Sequence, residues 1–356
     1  MGAHAPCVAV ERERPDMADW LIFGGLAALL GAFAWPRYGL WSRWRRARQL
    51  ASRCQREDLL KHILKCEANG RVPTVDSIAG TLQITTGDAA DLLAELEDRS
   101  LLSSDEGRLR LKPGGRELAL HIVRAHRLWE SYLAEQTGVS EAEWHSRAER
   151  QEHLISLQQA DALAAQLGHP TRDPHGDVIP SADGDLPAEP GQPLTAAPLD
   201  QPVLISHIED EPETVYAQLT AQGLRPGMKA CVIEKSANRI RFWADGTEHV
   251  LAPVLANNIS VVPLAETQLK DLLEEEFLSG LKPGQRARVL GLSPACRGPE
   301  RRRLLDLGFV ADTAVEVEMI SPGGDPTAYR VRGSVVALRR EQANLIRVTS
   351  REAAAV

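Results

Sequence analysis

The chain has 356 residues, enough for two or three domains, and its 43% hydrophobic and 25% charged content reads as globular. A formal net charge of −8 excludes a generally basic nucleic-acid binder, so any basic surface must be local. The five cysteines (Cys7, Cys54, Cys66, Cys231, Cys296) are odd in number and form no CxxC pair, which argues against a disulfide framework or zinc–thiolate site and for reduced, cytoplasmic thiols.

After an extension over residues 1–16, the run "WLIFGGLAALLGAFAW" (20–35) carries no charge. It is short of the roughly 20 residues that span a bilayer, but apolar character resumes past Pro36 and Arg37. A membrane anchor over 17–41 is the expectation, with Trp20, Trp35 and Trp41 at the interfaces. Arg37, Arg43, Arg45, Arg46 and Arg48 follow the uncharged run, which places the carboxy-terminal bulk at the inner face of the cell membrane. A cleaved signal peptide fits poorly, because its basic segment should come first. The alternatives are a buried hairpin helix, or a true start at Met17.

Residues 42–118 read as a winged helix-turn-helix. "REDLLKHILKCEANG" sets Leu59, Leu60, Ile63 and Leu64 on one face and stops at Gly70. "TVDSIAGTLQI" is a short helix, and "TTGDAADLLAELEDRSL" another, with Thr85 or Thr86 as N-cap. "LLSSDEGRLRLKP" predicts a hairpin turning at 105–107.

Residues 119–180 predict a helical domain of two or three helices. The long amphipathic "ELALHIVRAHRLWESYLAEQTG" is followed by "SEAEWHSRAERQEHLISLQQADALAAQLG", with Ser140 as N-cap and Gly168 as stop. Two such helices cannot bury their apolar stripes alone, which predicts a homodimer interface. A Pro-rich linker (181–202) leads to two β-rich segments, 203–266 and 267–350. Within them, the stretches Leu224 to Leu264 and Leu281 to about Val348 each open on Leu-x-Pro-Gly and run to Ala-Asn-x-Ile-x-Val, an internal repeat of small β-barrels. "ETQLKDLLEEEFLSG" between them reads as a short acidic helix, with "EEEF" on its solvated face.

Within "WHSRAERQEHL", His145, Glu149, Glu152 and His153 fall on one helical face. His126 and Glu130 repeat the i, i+4 spacing on the preceding helix, and Asp58 lies at the start of the first helix. One His-x3-Glu pair is ordinarily a salt-bridged surface. Two pairs on adjacent helices plus a Glu–His cluster predict a metal site of imidazole and carboxylate, the donor set of Mn²⁺ or Fe²⁺.

This order of winged helix, "HRLWESYL", "HSRAERQEHLIS", "DPHGDVIP", linker and β-barrel resembles the DtxR/MntR family of metal-dependent transcriptional repressors over roughly residues 57–264. The last segment, "RRRLLDLGF" through "ANLIRV", looks like an SH3-like FeoA domain. The resemblance implies a multidomain α+β chain: transmembrane-like helix, winged helix, helical dimerisation domain and two SH3-like or FeoA-like barrels. It implies primary-site ligands at Asp58, Glu149, Glu152 and His153. It implies ancillary ligands at His126, Glu130 and His145, with Asp210 and Glu213 in "EDEPE" as further candidates. Two metal sites per subunit follow, each for Mn²⁺ or Fe²⁺. Iron-type members place Cys at the position of Glu149 and Met at that of Asp58, so this primary site is oxygen-rich, as in manganese-type members. Those carry Glu where this chain has Lys61, which puts a close binuclear arrangement in doubt.

The recognition helix carries Asp88, Asp91, Glu95, Glu97 and Asp98 against Arg99, a poor match for phosphate. Thr85, Thr86, Arg108 and Arg110 are the residues left to contact double-stranded DNA. Two readings stand: a metal-dependent repressor of metal-uptake genes, or a membrane-tethered sensor that regulates a metal transporter through its FeoA-like domains without reading DNA. An enzyme is not expected, because no HExxH, P-loop or nucleophile elbow is present. His175 in "DPHG" reads as a loop residue rather than a ligand.

Overall fold

A computed structural model describes residues 40–105, 108–187, 191–244, 247–264, 275–293 and 295–349. The expected anchor over 17–41 lies almost wholly outside them. No helix among the described residues is long and apolar enough to cross a membrane.

The first described element is helix α1 (Leu40–Ala68), a longer helix than "REDLLKHILKCEANG" alone predicted. Its amino-terminal half is solvated, with Trp41 and Trp44 exposed. Its second half buries Leu59, Leu60, Ile63 and Leu64 against Ile78 of α2 (Val75–Leu82), Leu92, Leu93 and Leu96 of α3 (Thr86–Asp98), and Leu120 of α4 (Pro113–Gln136). Thr74 closes a capping box with Ser77 at the start of α2. Thr85 caps α3. Strands β1 (Leu102–Asp105) and β2 (Arg108–Leu111) form the antiparallel wing, with Leu109 and Leu111 turned inward and Arg108 and Arg110 exposed. Gly115 must be glycine: a Cβ there would lie 2.0 Å from the Leu101 carbonyl oxygen.

The expected second long helix is broken. A 3-10 turn (Glu141–Glu143) leads into α5 (Trp144–Glu152), and α6 (Leu157–Gln166) begins after a gap. The break has a local cause: Ser156 and Gln159 form a capping box that starts a new helix. His153 therefore caps α5 rather than continuing it.

The expected linker over 181–202 is in part built into the fold: it supplies the strand at Gln192–Pro193 and buries Leu194 and Ala197 in the core of the first of two six-stranded antiparallel sheets, each around its own apolar core. In the first, β3 (Gln192–Pro193) and β8 (Ile259–Pro263) precede β4 (Pro202–Ile208), β5 (Lys229–Lys235), β6 (Ile240–Ala244) and β7 (Thr247–Leu251) in the order β3-β8-β4-β5-β6-β7. The second holds β9 (Glu275–Phe277), β10 (Arg286–Leu292), β11 (Ala314–Ile320), β12 (Thr327–Val331), β13 (Ser334–Leu338) and β14 (Ile346–Thr349), in the order β9-β14-β10-β11-β12-β13. The orders are equivalent, as the sequence repeat predicted. Most of the expected acidic helix lies outside the described residues. Its end, Glu275–Phe277, is a strand paired with β14 rather than a solvated helix face. Helix α7 (Glu213–Ala221) follows β4, and α8 (Gly298–Asp306) of the second β-unit packs against α4.

Candidate metal centre

Four segments converge beneath α1. Helix α4 brings His126 and Glu130, both buried. Helix α5 brings His145, Glu149 and Glu152, and ends on His153. Helix α1 brings Glu57, Asp58 and Lys61. The loop after β4 brings Asp210.

The ligand atoms of Asp58, Glu152 and His153 form one group within 4.8 Å of each other. His153 Nε2 lies 3.1 Å from Asp58 Oδ1 and 3.6 Å from Glu152 Oε1. Its other nitrogen, Nδ1, sits 2.7 Å from Glu57 Oε2, and Glu57 is held in turn by Arg53. Burial alone would lower the His153 pKa; Asp58 and Glu57 outweigh it and push it up to about 9. A carboxylate on Nδ1 fixes the ring and leaves Nε2 to face a cation.

Glu152 is buried, and both its oxygens accept from Lys61 Nζ, at 3.0 and 2.9 Å. Its Oε2 also pairs with His126 Nδ1. Burial would raise its pKa, but Lys61 and His126 bring it down to about 2.

His126, Glu130, His145 and Asp210 form a second group. His126 Nε2 is 3.0 Å from Glu130 Oε1, and His145 Nδ1 is 3.4 Å from that oxygen and 3.1 Å from Asp210 Oδ2. Burial opposes protonation of His145, but Asp210, Glu130 and Glu149 raise it to about 12. Despite these distances, His145 Nδ1 is buried and makes no well-directed hydrogen bond. A ring nitrogen surrounded by oxygens but bonded to none is what a cation-binding set looks like. The donors are nitrogen and oxygen throughout, which suits Mn²⁺ or Fe²⁺.

Two expected ligands lie elsewhere. Glu149 leans away from the Asp58 group toward His145 Nε2, 3.4 Å away, with its side chain 55% exposed. It still borders the groove lined by Asp58, Lys61 and His153. Glu213 is exposed in the first turn of α7 and joins neither group, because the chain turns at Pro212 and carries it past Asp210. Of the expected DNA contacts, Thr86, Arg108 and Arg110 are exposed. Thr85 is exposed too, but its hydroxyl donates to Asp88 and accepts from the Asp88 N–H.

Sequence reasoning missed three residues. Glu57 adjoins Asp58 but gives no periodic signal of its own. Asp173 and His175 lie in a loop, where spacing predicts nothing, yet both are buried against Glu130.

A family model described as "Iron dependent repressor, metal binding and dimerisation domain" matches residues 112–181, and a FeoA domain model matches residues 277–350. The iron-dependent repressor IdeR of Mycobacterium leprae is 29% identical over 212 residues, covering 55% of this chain and 91% of that protein. An 82-residue stretch is 39% identical to a probable metal transport system membrane protein of Chlamydia trachomatis, covering 23% of this chain and 18% of that protein. Among solved structures, a manganese-dependent transcriptional repressor in complex with manganese is 29% identical at a TM-score of 0.54, covering 59% of this chain and 100% of that one. The two domain models match the metal-binding helices and the second β-unit in turn, and whole repressor chains align over more than half of this one: the chain is similar to iron- and manganese-dependent transcriptional repressors and matches a FeoA domain over residues 277–350.

Proposed function

We propose that the chain is a metal-dependent transcriptional regulator, a homodimeric repressor that responds to Mn²⁺ or Fe²⁺. The observation that carries this reading is the group of Asp58, Glu152 and His153. Asp58 belongs to the winged-helix unit, and the other two belong to the helical metal-binding unit. A divalent cation bound there supplies positive charge that both units share. Asp58 and His153 then meet only when α1 lies at one angle to α5, so occupancy selects one orientation of α3 from a mobile set. In a dimer that orientation spaces two recognition helices for successive major grooves. Glu149 joins the Asp58 group by a rotamer change away from His145. His126, Glu130, His145 and Asp210 form an ancillary site.

The test is anisotropy of labelled duplex DNA with and without Mn²⁺, for wild type and Asp58→Ala. Wild type is expected to gain about tenfold or more in affinity with metal, and Asp58→Ala to lose that gain while keeping its basal binding. A metal-independent wild type overturns the reading.

A second reading is favoured by the exposed acids Asp88, Asp91 and Asp98 on α3, and by the similarity to a membrane protein named for metal transport. In it the chain is a sensor, tethered through residues 17–41, that acts on a metal transporter through its FeoA-like units. DNA affinity weaker than micromolar at low salt with Mn²⁺ present selects it.

A further inference from the structure

The amino-terminal half of α1 is set apart from the rest of the chain by its charge. From Trp20 to Arg56 the sequence holds seven arginines and no acid, in a chain whose net charge is −8. Within the helix, Arg43, Arg45, Arg46 and Arg48 are all exposed. Trp41 and Trp44 are exposed among them, at 51% and 47%.

Helical spacing sorts these side chains. Trp41, Trp44, Arg45 and Arg48 stand at i, i+3, i+4 and i+7 and so share one face. The two indoles lie against each other, with centroids 5.1 Å apart. The Arg48 guanidinium sits over the Trp44 ring, 4.4 Å from its centroid, so the cation and the aromatic surface are presented together. Exposed indoles beside arginines are the composition of a helix lying in a bilayer interface. There the rings settle at headgroup level and the cations meet lipid phosphate.

The place of this face in the fold suits a bilayer better than duplex DNA. Helix α1 reaches α3 through Arg56, 3.1 Å from Glu95. Arg48 and Trp41 lie roughly 12 and 22 Å further along the helix axis, away from the buried stripe of Leu59 to Leu64. A duplex backbone takes arginines but gains nothing from a stacked pair of indoles. On the other side, only residues 36–39 separate α1 from the uncharged run 20–35. A surface that takes up that run meets this face next.

We propose that the face of α1 formed by Trp41, Trp44, Arg45 and Arg48 docks on the headgroups of an anionic phospholipid bilayer. The proposal deepens the tethered reading above by naming the lipid, and it does not depend on the metal response.

The test is co-sedimentation of the full chain with vesicles of phosphatidylcholine alone and with about one-third phosphatidylglycerol. Any partitioning of the run 20–35 is common to both vesicles, so the reading is the ratio of the two affinities. Wild type is expected to favour the anionic vesicle by about thirtyfold, from two arginines at about fivefold each, and to lose that preference in high salt. Arg45→Gln with Arg48→Gln, folded by circular dichroism, should bring the ratio close to one. Trp41→Gln with Trp44→Gln should weaken binding to both vesicles. An Arg45/Arg48 variant that keeps the wild-type ratio overturns the proposal. The same variant with its ratio intact but its affinity for labelled duplex DNA reduced assigns these arginines to DNA instead. A wild type that binds both vesicles equally keeps the tether and defeats only this inference, whereas one that binds neither defeats both.

Discussion

Lys61 stands where manganese-type relatives are expected to place a carboxylate, and its ammonium does part of a cation's work. Both oxygens of the buried Glu152 accept from it, and His126 Nδ1 lies 3.5 Å away. Lys61→Met keeps the chain length and removes the charge. Breaking one side of a buried ion pair costs about 3–5 kcal/mol, but the Lys61 side chain is 27% exposed and His126 still contacts Glu152, so about 2 kcal/mol is the expected loss in the metal-free protein. The same pair must open before Glu152 can hold a divalent cation. Removing it therefore takes away about 2 kcal/mol of competition, or about thirty-fold in affinity. The two effects have opposite signs: urea denaturation in chelator should show reduced stability, and calorimetric titration should show tighter Mn²⁺ binding. A variant that loses stability while its Mn²⁺ affinity stays within about threefold of wild type would falsify the idea that lysine and metal compete for Glu152.

Glu57→Gln leaves His153 without its anionic partner on Nδ1, and Mn²⁺ affinity at the Asp58 group should fall by about tenfold in titration calorimetry. The Glu141 carboxylate accepts from the Tyr216 hydroxyl at 2.6 Å and from Arg225, joining the helical domain to the first β-unit. Burial would raise its pKa, but Tyr216 and Arg225 hold it below the ordinary 4.5, so its stabilisation is complete above that pH and fades as pH falls below it. Urea melts at about pH 4 and about pH 7 should therefore differ less in Glu141→Gln than in wild type, with about 1–2 kcal/mol lost at the higher pH. Leu154 and Leu157 are 56% and 57% exposed beside the small core of Leu128, Ala160 and Ala164, and they mark the expected dimer face. Leu157→Glu should yield monomers by light scattering; an intact dimer would place the interface elsewhere.

Legibility in the sequence followed the range of the interactions involved. The winged helix was readable because its parts have local causes: the Leu59–Leu64 stripe, the cap at Thr85, and the turn between the two short strands. The β repeat was readable from two matched openings and endings, and the equivalent strand orders follow. A third helix was open, but the place of the break at His153 was not legible, because the apolar periodicity runs through it while the capping box at Ser156 starts the next helix from outside that pattern. The helix-borne ligands His126, Glu130, His145, Glu152 and His153 have i, i+4 or adjacent spacing, so one face could be drawn for them. Asp173 and His175 have no such rule, since a loop's side chains are placed by what the loop packs against, here the Ser206 carbonyl and Tyr216.

His126 makes the two groups one system. Its Nε2 faces Glu130 in the ancillary group, and its Nδ1 faces Glu152 of the Asp58 group. A neutral imidazole carries one proton, so engaging Nε2 as a ligand forces that proton onto Nδ1, where it donates to Glu152. Donation to Oε2 leaves Oε1, the oxygen that faces His153 Nε2 at 3.6 Å, oriented toward the Asp58 group. Filling the ancillary group should thus prepare the Asp58 group, and by linkage the reverse must hold with the same factor. His126→Gln cuts this path while leaving Asp58, Glu152 and His153 in place. In that variant the two binding events should become independent in calorimetric titration. If wild type already fills its sites independently, the ring is a spacer and carries no coupling.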